Sequence, residues 1–260
     1  MSPYLSVIIP CYNESENLKR GVLDEVTTYL NRQKYSYEVI ISDDASSDDS
    51  REIIQDQIKN HSHMHLLANP HGGKAHALRY GLQKAKGIYV LFADMDQSTP
   101  ISEVSKLLNK AESGYQVVIG SRGKSRRDAS ILRKVAARSF RLFRKSLLLR
   151  TIDDTQCGFK LANTKAAKHL FESMKIFEQT GQAKGWVVAA WDVEFLYLAE
   201  KFGYRTSEVK VDWSDKDETT GKDRNIFKFV NESVDMLKQV SRVKMNDWQG
   251  KYQHQYSNVE

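Results

Sequence analysis

The chain has 260 residues, 40% of them hydrophobic and 28% charged, with 39 Lys or Arg against 33 Asp or Glu and a formal charge of +6. This length and apolar share can bury a sizeable core and exclude a disordered polymer, while so small a basic surplus does not by itself make a nucleic-acid binder. No run reaches the roughly 18 apolar residues that cross a bilayer, and the opening MSPYLSVIIP lacks a signal peptide's basic start. Two cysteines, Cys11 and Cys157, fit a reducing cytoplasmic compartment better than a disulfide framework.

Leu5–Pro10 reads as a first strand, and Leu18, Val22, Val26 and Leu30 give Glu14–Leu30 the spacing of a helix. Tyr37–Ser42 reads as a second strand and Ser47–Lys59 as a helix with Ser47 as its N-cap. Met64–Ala68, Lys74–Ala85 and Ile88–Ala93 continue as strand, helix and strand. This β-α-β-α-β-α-β order predicts a parallel sheet covered by helices. Tyr115–Gly120 reads as a strand, Asp154–Phe159 as a polar loop, Asp192–Lys201 as a helix and Val209–Trp213 as a strand. Asp215–Asn225 is a charged loop expected to be mobile, and Asn225–Val243 a last helix before a polar tail.

In such sheets ligands gather beyond the carboxyl ends of the strands. Four turns open there: 10–14 (Pro-Cys-Tyr-Asn-Glu), 43–48 (Asp-Asp-Ala-Ser-Ser-Asp), 69–74 (Asn-Pro-His-Gly-Gly-Lys) and 94–96 (Asp-Met-Asp). Asp94 and Asp96, one residue apart at a strand end, can share a hard divalent cation; the plain alternative is a solvated turn. Asp43 or Asp44 can accept hydrogen bonds from a nucleobase or ribose, while Ser47 caps the next helix. Gly72, Gly73 and Lys74 can bring backbone and a point charge to a phosphate, but match neither the ATPase nor the dinucleotide fingerprint. His61, His63 and His65 alternate as on one strand face, and an exposed strand edge explains them better than zinc. Trp186, Trp191 and Trp213 read as core residues, with Trp213 a possible stacking platform, and Cys157 is a poor candidate nucleophile.

Residues 122–150 hold eleven Lys or Arg against one acid, with Ile131, Leu132, Val135, Phe140, Phe143 and Leu147 at helical spacing. Such a basic amphipathic segment suits an anionic membrane surface, nucleic-acid phosphates or plain solvent. The large, regular apolar residues favour the membrane, and no nucleic-acid partner is expected.

Taken in order, VIIPCYNE (7–14), SDDASSDDS (42–50), GGKAHALRYGL (72–82), FADMD (92–96), IGSR (119–122), DTQCGFK (154–160) and WDVEFLYLA (191–199) resemble the family 2 inverting glycosyltransferases. DTQCGFK followed by DVE is similar to the dolichyl-phosphate β-glucosyltransferase branch. The resemblance implies an α/β GT-A fold: a Rossmann-like three-layer α/β/α sandwich with a mostly parallel mixed sheet. Residues 1–225 would form the catalytic domain, with 122–150 the acceptor or membrane segment and 226–260 a C-terminal helix and tail. It implies a nucleotide-diphosphate sugar donor and a polyprenyl or dolichyl phosphate acceptor. Pro10, Tyr12, Glu14 and Asp44 would hold base and ribose, with Asp43 and Lys74 in the same pocket. Asp94 and Asp96 would bind Mg²⁺ or Mn²⁺. Arg122 and Arg133 would cradle acceptor phosphate. Asp154 and Gln156 would lie near the sugar, with Asp192 and Glu194 lining the cleft and Lys222 on a closing loop. Mannosyltransferase relatives often read D-x-D-x-Q, where this chain has Ser98 in the place of the Gln.

The implied reaction moves glucose from UDP-glucose to a polyprenyl phosphate with inversion, on the cytosolic membrane face. A GDP-mannose-dependent transfer, a soluble transferase acting on a glycan or protein hydroxyl, and a non-enzymatic nucleotide-sugar binder stand as alternatives.

Overall fold

The computed structural model describes residues 2–122, 152, 154–178, 191–214, 216 and 238–252. Seven strands form one sheet: β1 (Leu5–Cys11), β2 (Tyr37–Asp43), β3 (Met64–Ala68), β4 (Tyr89–Phe92), β5 (Val117–Ser121), β6 (Lys160–Asn163) and β7 (Thr206–Lys210). Their spatial order is β3-β2-β1-β4-β6-β5-β7. β1, β2, β3 and β4 run parallel, as do β5 and β7, while β6 runs antiparallel between β4 and β5. The sheet is therefore mixed but mostly parallel.

Among the described residues the α-helices are α1 (Ser15–Lys19), α2 (Val22–Leu30), α3 (Ser50–Ile58), α4 (Lys74–Lys84), α5 (Val104–Glu112), α6 (Thr164–Ser173), α7 (Trp191–Lys201) and α8 (238–248). Every residue of β1 and of β2 is buried, as expected of strands covered on both sides. Alternate residues feed two separate cores. Ile8, Ile40, Val90 and Phe92 pack with Leu78 and Leu82 of α4, Leu170 and Phe171 of α6, and Phe195 and Leu196 of α7. Val7, Ile9, Val39, Ile41 and Leu91 pack with Leu18, Leu23, Val26, Ile54, Leu107 and Leu108 from α1, α2, α3 and α5. Three layers result because the period-2 alternation of each strand supplies both faces.

The structure corrects several local expectations. The single helix over Glu14–Leu30 is two, because Gly21 takes a left-handed φ of +85° and breaks the ladder between α1 and α2. Ser47 does not cap α3: its N–H donates to Asn13 Oδ1 (2.8 Å), and the helix begins at Ser50. β7 ends at Lys210 because β5, its partner, ends at Ser121; Val211–Trp213 continue beyond the ladder. Of the three histidines only His65 lies in β3, while half-buried His61 sits 3.5 Å from Asp24 Oδ1. Trp191 is buried as expected, and Trp186 lies outside the described residues. Of the last helix, residues 225–237 lie outside them too, and the described part runs past Val243 to 248.

Glu194 does not line a cleft. It is fully buried on α7, where it accepts hydrogen bonds from the N–H groups of Lys175 (2.7 Å) and Ile176 (3.1 Å) and from the Tyr252 hydroxyl (2.7 Å). Arg242 of α8 lies 3.7 Å away. One carboxylate thus fastens α8 and the 175–178 turn to α7. Glu194→Ala leaves these donors unpaired, so it should lower unfolding stability by about 3–5 kcal/mol in urea denaturation, with a smaller loss for Glu194→Gln.

Candidate active site

The rim at the carboxyl ends of β1, β2 and β4 is built from turns that ordinary backbone would not make. Among the described residues, Asn13 (φ +55°), Ala45 (φ +61°) and Gln97 (φ +50°) are the non-glycine residues with positive φ, and each follows one of those three strands. Left-handed backbone costs an L-residue roughly 1–2 kcal/mol, so these turns are held by their surroundings.

The centre of the rim is Asp94, just past β4. Its Oδ1 accepts a hydrogen bond from Nζ of Lys74, the first residue of α4, at 2.5 Å. Gly158 admits this carboxylate: a Cβ at 158 would lie 1.9 Å from Asp94 Oδ2. Burial pushes the Asp94 carboxyl up, but the Lys74 ammonium outweighs it, helped by Lys160 and Arg122, and holds the group below the ordinary carboxylate value. Asp96 goes the other way, raised by burial and by the Asp94 charge beside it. Both Asp96 oxygens are engaged by Ser98, Oδ1 by the N–H and Oδ2 by the hydroxyl, each at 2.8 Å. Gln97 is buried, and its amide Nε2 donates to the Asp94 carbonyl at 2.9 Å.

On the β2 side, Asp43 and Asp44 are both fully buried, and their carboxylates are engaged by the protein itself. Arg51 binds Asp43 through Nε (3.0 Å) and Nη2 (2.5 Å). The N–H groups of Gly72 and Gly73 donate to the two oxygens of Asp44, each at 2.8 Å, and His71 Nδ1 lies 2.8 Å from Oδ2. In this arrangement Asp44 ties the Gly72-Gly73 turn to β2, and both carboxylates turn inward. What faces outward instead is half-buried Tyr12, stacked on His71 with ring centroids 4.9 Å apart. Pro10 is buried within β1, and Glu14 Oε2 accepts from Asn17 Nδ2 at 2.6 Å.

Across the rim, Arg122 forks onto Asp154: Nε to Oδ2 and Nη2 to Oδ1, both 2.8 Å, with the Arg122 N–H adding a third bond at 3.0 Å. Burial raises the Asp154 carboxyl, and Arg122 overcomes this and holds it below its ordinary value. The Arg122 guanidinium also lies over Trp213, 5.6 Å from the ring centroid. Gln156 is exposed, and its N–H lies 3.3 Å from Asp154 Oδ1. Asp192 stands at the start of α7, 3.7 Å from Nζ of Lys160 on β6. Lys160 is buried, donates to the Cys157 carbonyl, and lies 5.1 Å from the Trp191 ring centroid. Buried Cys157 is raised above the ordinary thiol value by desolvation, which makes it a poor nucleophile.

The charge network at this rim joins Lys74, Asp94, Asp96, Arg122, Asp154 and Asp192, and adds Lys160 and Gly158, which sequence reasoning named only within DTQCGFK. Their signal was a lysine and a glycine flanking a phenylalanine in a motif, without any sign of what they meet. Arg133, Lys222 and the rest of 123–150 lie outside the described residues. Among the described residues no group of three or more His, Cys, Asp or Glu converges on one point. Two carboxylates one residue apart, one of them seated against Gly158, suit a magnesium-like ion, which takes one or two carboxylates and completes its shell with substrate phosphate and water.

The family model for Glycosyl transferase family 2 matches residues 6–171. The chain is 33% identical to the dolichyl-phosphate beta-glucosyltransferase of Dictyostelium discoideum, over 93% of this chain and 74% of that protein. It is 32% identical to the dolichyl-phosphate beta-glucosyltransferase of Homo sapiens, over 81% of this chain and 67% of that protein. Among solved structures, glucosyl-3-phosphoglycerate synthase from Mycobacterium tuberculosis, in complex with Mn²⁺, UDP-glucose and glycerol 3-phosphate, superposes with a TM-score of 0.60 at 17% identity, covering 94% of this chain and 80% of the other. Mannosyl-3-phosphoglycerate synthase from Rubrobacter xylanophilus superposes at 0.62 and 13% identity, over 99% and 78%. The sheet order, the acidic rim and these similarities converge: the chain belongs to glycosyl transferase family 2, a glycosyltransferase with the GT-A fold.

Proposed function

We propose that the protein transfers glucose from UDP-glucose to a dolichyl or polyprenyl phosphate, with inversion, using Mg²⁺ or Mn²⁺ at Asp94 and Asp96. The relatives' activity supports the sugar and the acceptor. The observation that carries the chemistry is the charge arrangement at the rim. Among the described residues, Asp94, Asp96, Asp154 and Asp192 stand there with Lys74, Arg122 and Lys160, and a diphosphate brought beside Asp94 and Asp96 would meet like charge. A divalent ion would offset that like charge and, as a Lewis acid, stabilise the charge that develops on the leaving diphosphate.

The chain's own residues divide the remaining work. Lys74 keeps Asp94 ionised and ready to bind metal. Tyr12, stacked on His71, offers an aromatic face to the base. Arg122 retains unused guanidinium donors and is placed to meet acceptor phosphate by charge-assisted hydrogen bonds. Asp154, held ionised by that arginine, is a weak base, and its role is to orient Arg122. This favours a phosphate acceptor: a phosphate oxygen is already anionic, whereas a hydroxyl acceptor needs a base near neutral pKa. Among the described residues no helix is long and apolar enough to cross a membrane. The basic stretch 122–150 would bring the protein to the cytosolic face of a membrane, and its charge would supply part of what an acceptor phosphate requires.

Asp94→Ala and Asp96→Ala should each lower turnover by roughly 10²–10³-fold, the worth of several kcal/mol of charge stabilisation, and abolish Mn²⁺-dependent UDP binding in calorimetry. Full turnover of either variant in chelator would refute the metal assignment. Gly158→Ala should disable metal binding by displacing the Asp94 carboxylate, with the far-ultraviolet circular dichroism unchanged. On acidification Asp96, raised, protonates before Asp94, lowered, so Mn²⁺ affinity should begin to fall at a pH above the ordinary aspartate pKa. A Mn²⁺ titration across pH checks this. Assays with UDP-glucose and polyprenyl phosphate in vesicles, against a water-soluble phosphate monoester, test the acceptor.

A further inference from the structure

Residue 98 stands at a junction that the reaction chemistry alone does not require. Its N–H and hydroxyl donate to the two carboxylate oxygens of Asp96. The same hydroxyl accepts the N–H of Lys216 at 3.3 Å, and the Ser98 carbonyl accepts the N–H of Ser214 at 2.9 Å. Arg20, at the break between α1 and α2, closes the arrangement from the other side. Its Nη2 donates to the Asp96 carbonyl at 2.5 Å and its Nη1 to the Lys216 carbonyl at 2.8 Å. The chain leaving β7 is therefore pinned to the Asp-Met-Asp turn twice over, by a serine and by an arginine far apart in sequence.

That same stretch touches the other side of the rim. Trp213 lies against the Arg122 guanidinium, and the Asp212 N–H donates to buried Glu103 at 3.0 Å. Residues 211–214 and 216 thus link Arg122, which holds Asp154, to Asp96 as a strap.

We propose that Ser98 and Arg20 are positioning residues for the donor's metal ion, and that the Ser98 hydroxyl links the Asp96 carboxylate to the strap carrying Trp213. The inference rests on the metal assignment made above for Asp94 and Asp96. A carboxylate has about four lone-pair sites, and Ser98 occupies two of them, fixing the plane of the group and leaving the others for metal. The hydroxyl accepts from Lys216 and donates to Asp96, so each bond polarises the other. Hydrogen-bond partners that orient a metal's ligand typically change metal affinity by about 10–100-fold when removed. Ser98→Ala deletes the donor to Asp96 and the acceptor for Lys216 together. Ser98→Thr keeps both. Arg20→Met frees the two carbonyls while leaving Ser98 in place.

The experiment is a Mn²⁺ titration of the full chain with UDP, followed by electron paramagnetic resonance, on the natural protein and on Ser98→Ala, Ser98→Thr, Arg20→Met and Asp96→Ala. The expected result is about tenfold weaker Mn²⁺ binding for Ser98→Ala and a measurable loss for Arg20→Met, with Ser98→Thr close to the natural protein. Saturating Mn²⁺ should then restore much of kcat to Ser98→Ala, because the defect lies in metal capture; a merely structural role would lower kcat at every metal concentration. Natural affinity in both Ser98→Ala and Arg20→Met would overturn the inference while leaving the metal assignment standing. Absence of Mn²⁺ binding by the natural protein, or unchanged binding in Asp96→Ala, would overturn the assignment and the inference with it. Should Ser98→Ala fail to fold, Arg20→Met decides alone.

Discussion

Asp94 can stand where it does only because residue 158 has no side chain. The turn after β4 and the loop before β6 come so close that a single methyl group at 158 would occupy the space of a carboxylate oxygen. Lys74 then compensates the cost of burying that carboxylate by donating to it from the start of α4. Two elements far apart in sequence, 72–82 and 154–160, are thereby made to meet the acidic turn at 92–96. The proposed reaction site is this three-way contact, and the rest of the rim is arranged around it.

Around that contact the protein uses most of its polar groups on itself. Asp43 is spent on Arg51, Asp44 on the Gly72-Gly73 turn, Asp154 on Arg122 and Glu194 on α8. A buried carboxylate must be hydrogen-bonded or paired, because an unpaired buried charge costs several kcal/mol. The rigidity of the rim follows. Three non-glycine residues accept left-handed backbone there because hydrogen bonds such as Asn13 to Ser47 and Gln97 to the Asp94 carbonyl hold the turns closed. The pair proposed to bind the cation is set apart by its opposed tuning: Asp94 is pulled down by a lysine, whereas Asp96 is pushed up by burial and by its neighbour.

This electrostatic division explains why a phosphate acceptor suits the site better than an alcohol. On the proposed acceptor side, Asp154 is held in its ionised form by Arg122, which weakens it as a base. In the proposed reaction its arginine partner would then confront the acceptor's anion. The strap from β7, stacked on Arg122 by Trp213 and pinned to Asp96 through Ser98, connects the Arg122 side of the rim to the Asp96 side.

Much of the architecture was legible in the chain. Continuous apolar runs in β1 and β2 and the 3.6-residue spacing of the helices announced a covered parallel sheet, since both periodicities follow from backbone geometry within a single element. The Asp-Met-Asp turn and the motif order identified the family and the residues of the rim. What the chain could not disclose were relations between distant segments. The antiparallel insertion of β6, the inward turning of Asp44 and Glu194, the break at Gly21 and the meeting of Gly158 with Asp94 all depend on which group arrives opposite which. The sequence by itself therefore determined the elements and the chemical inventory of the site; only the tertiary structure decided which carboxylates are turned inward onto internal partners and which stand together at the rim, because burial and pairing are properties of packed neighbours and not of a residue's place in the chain.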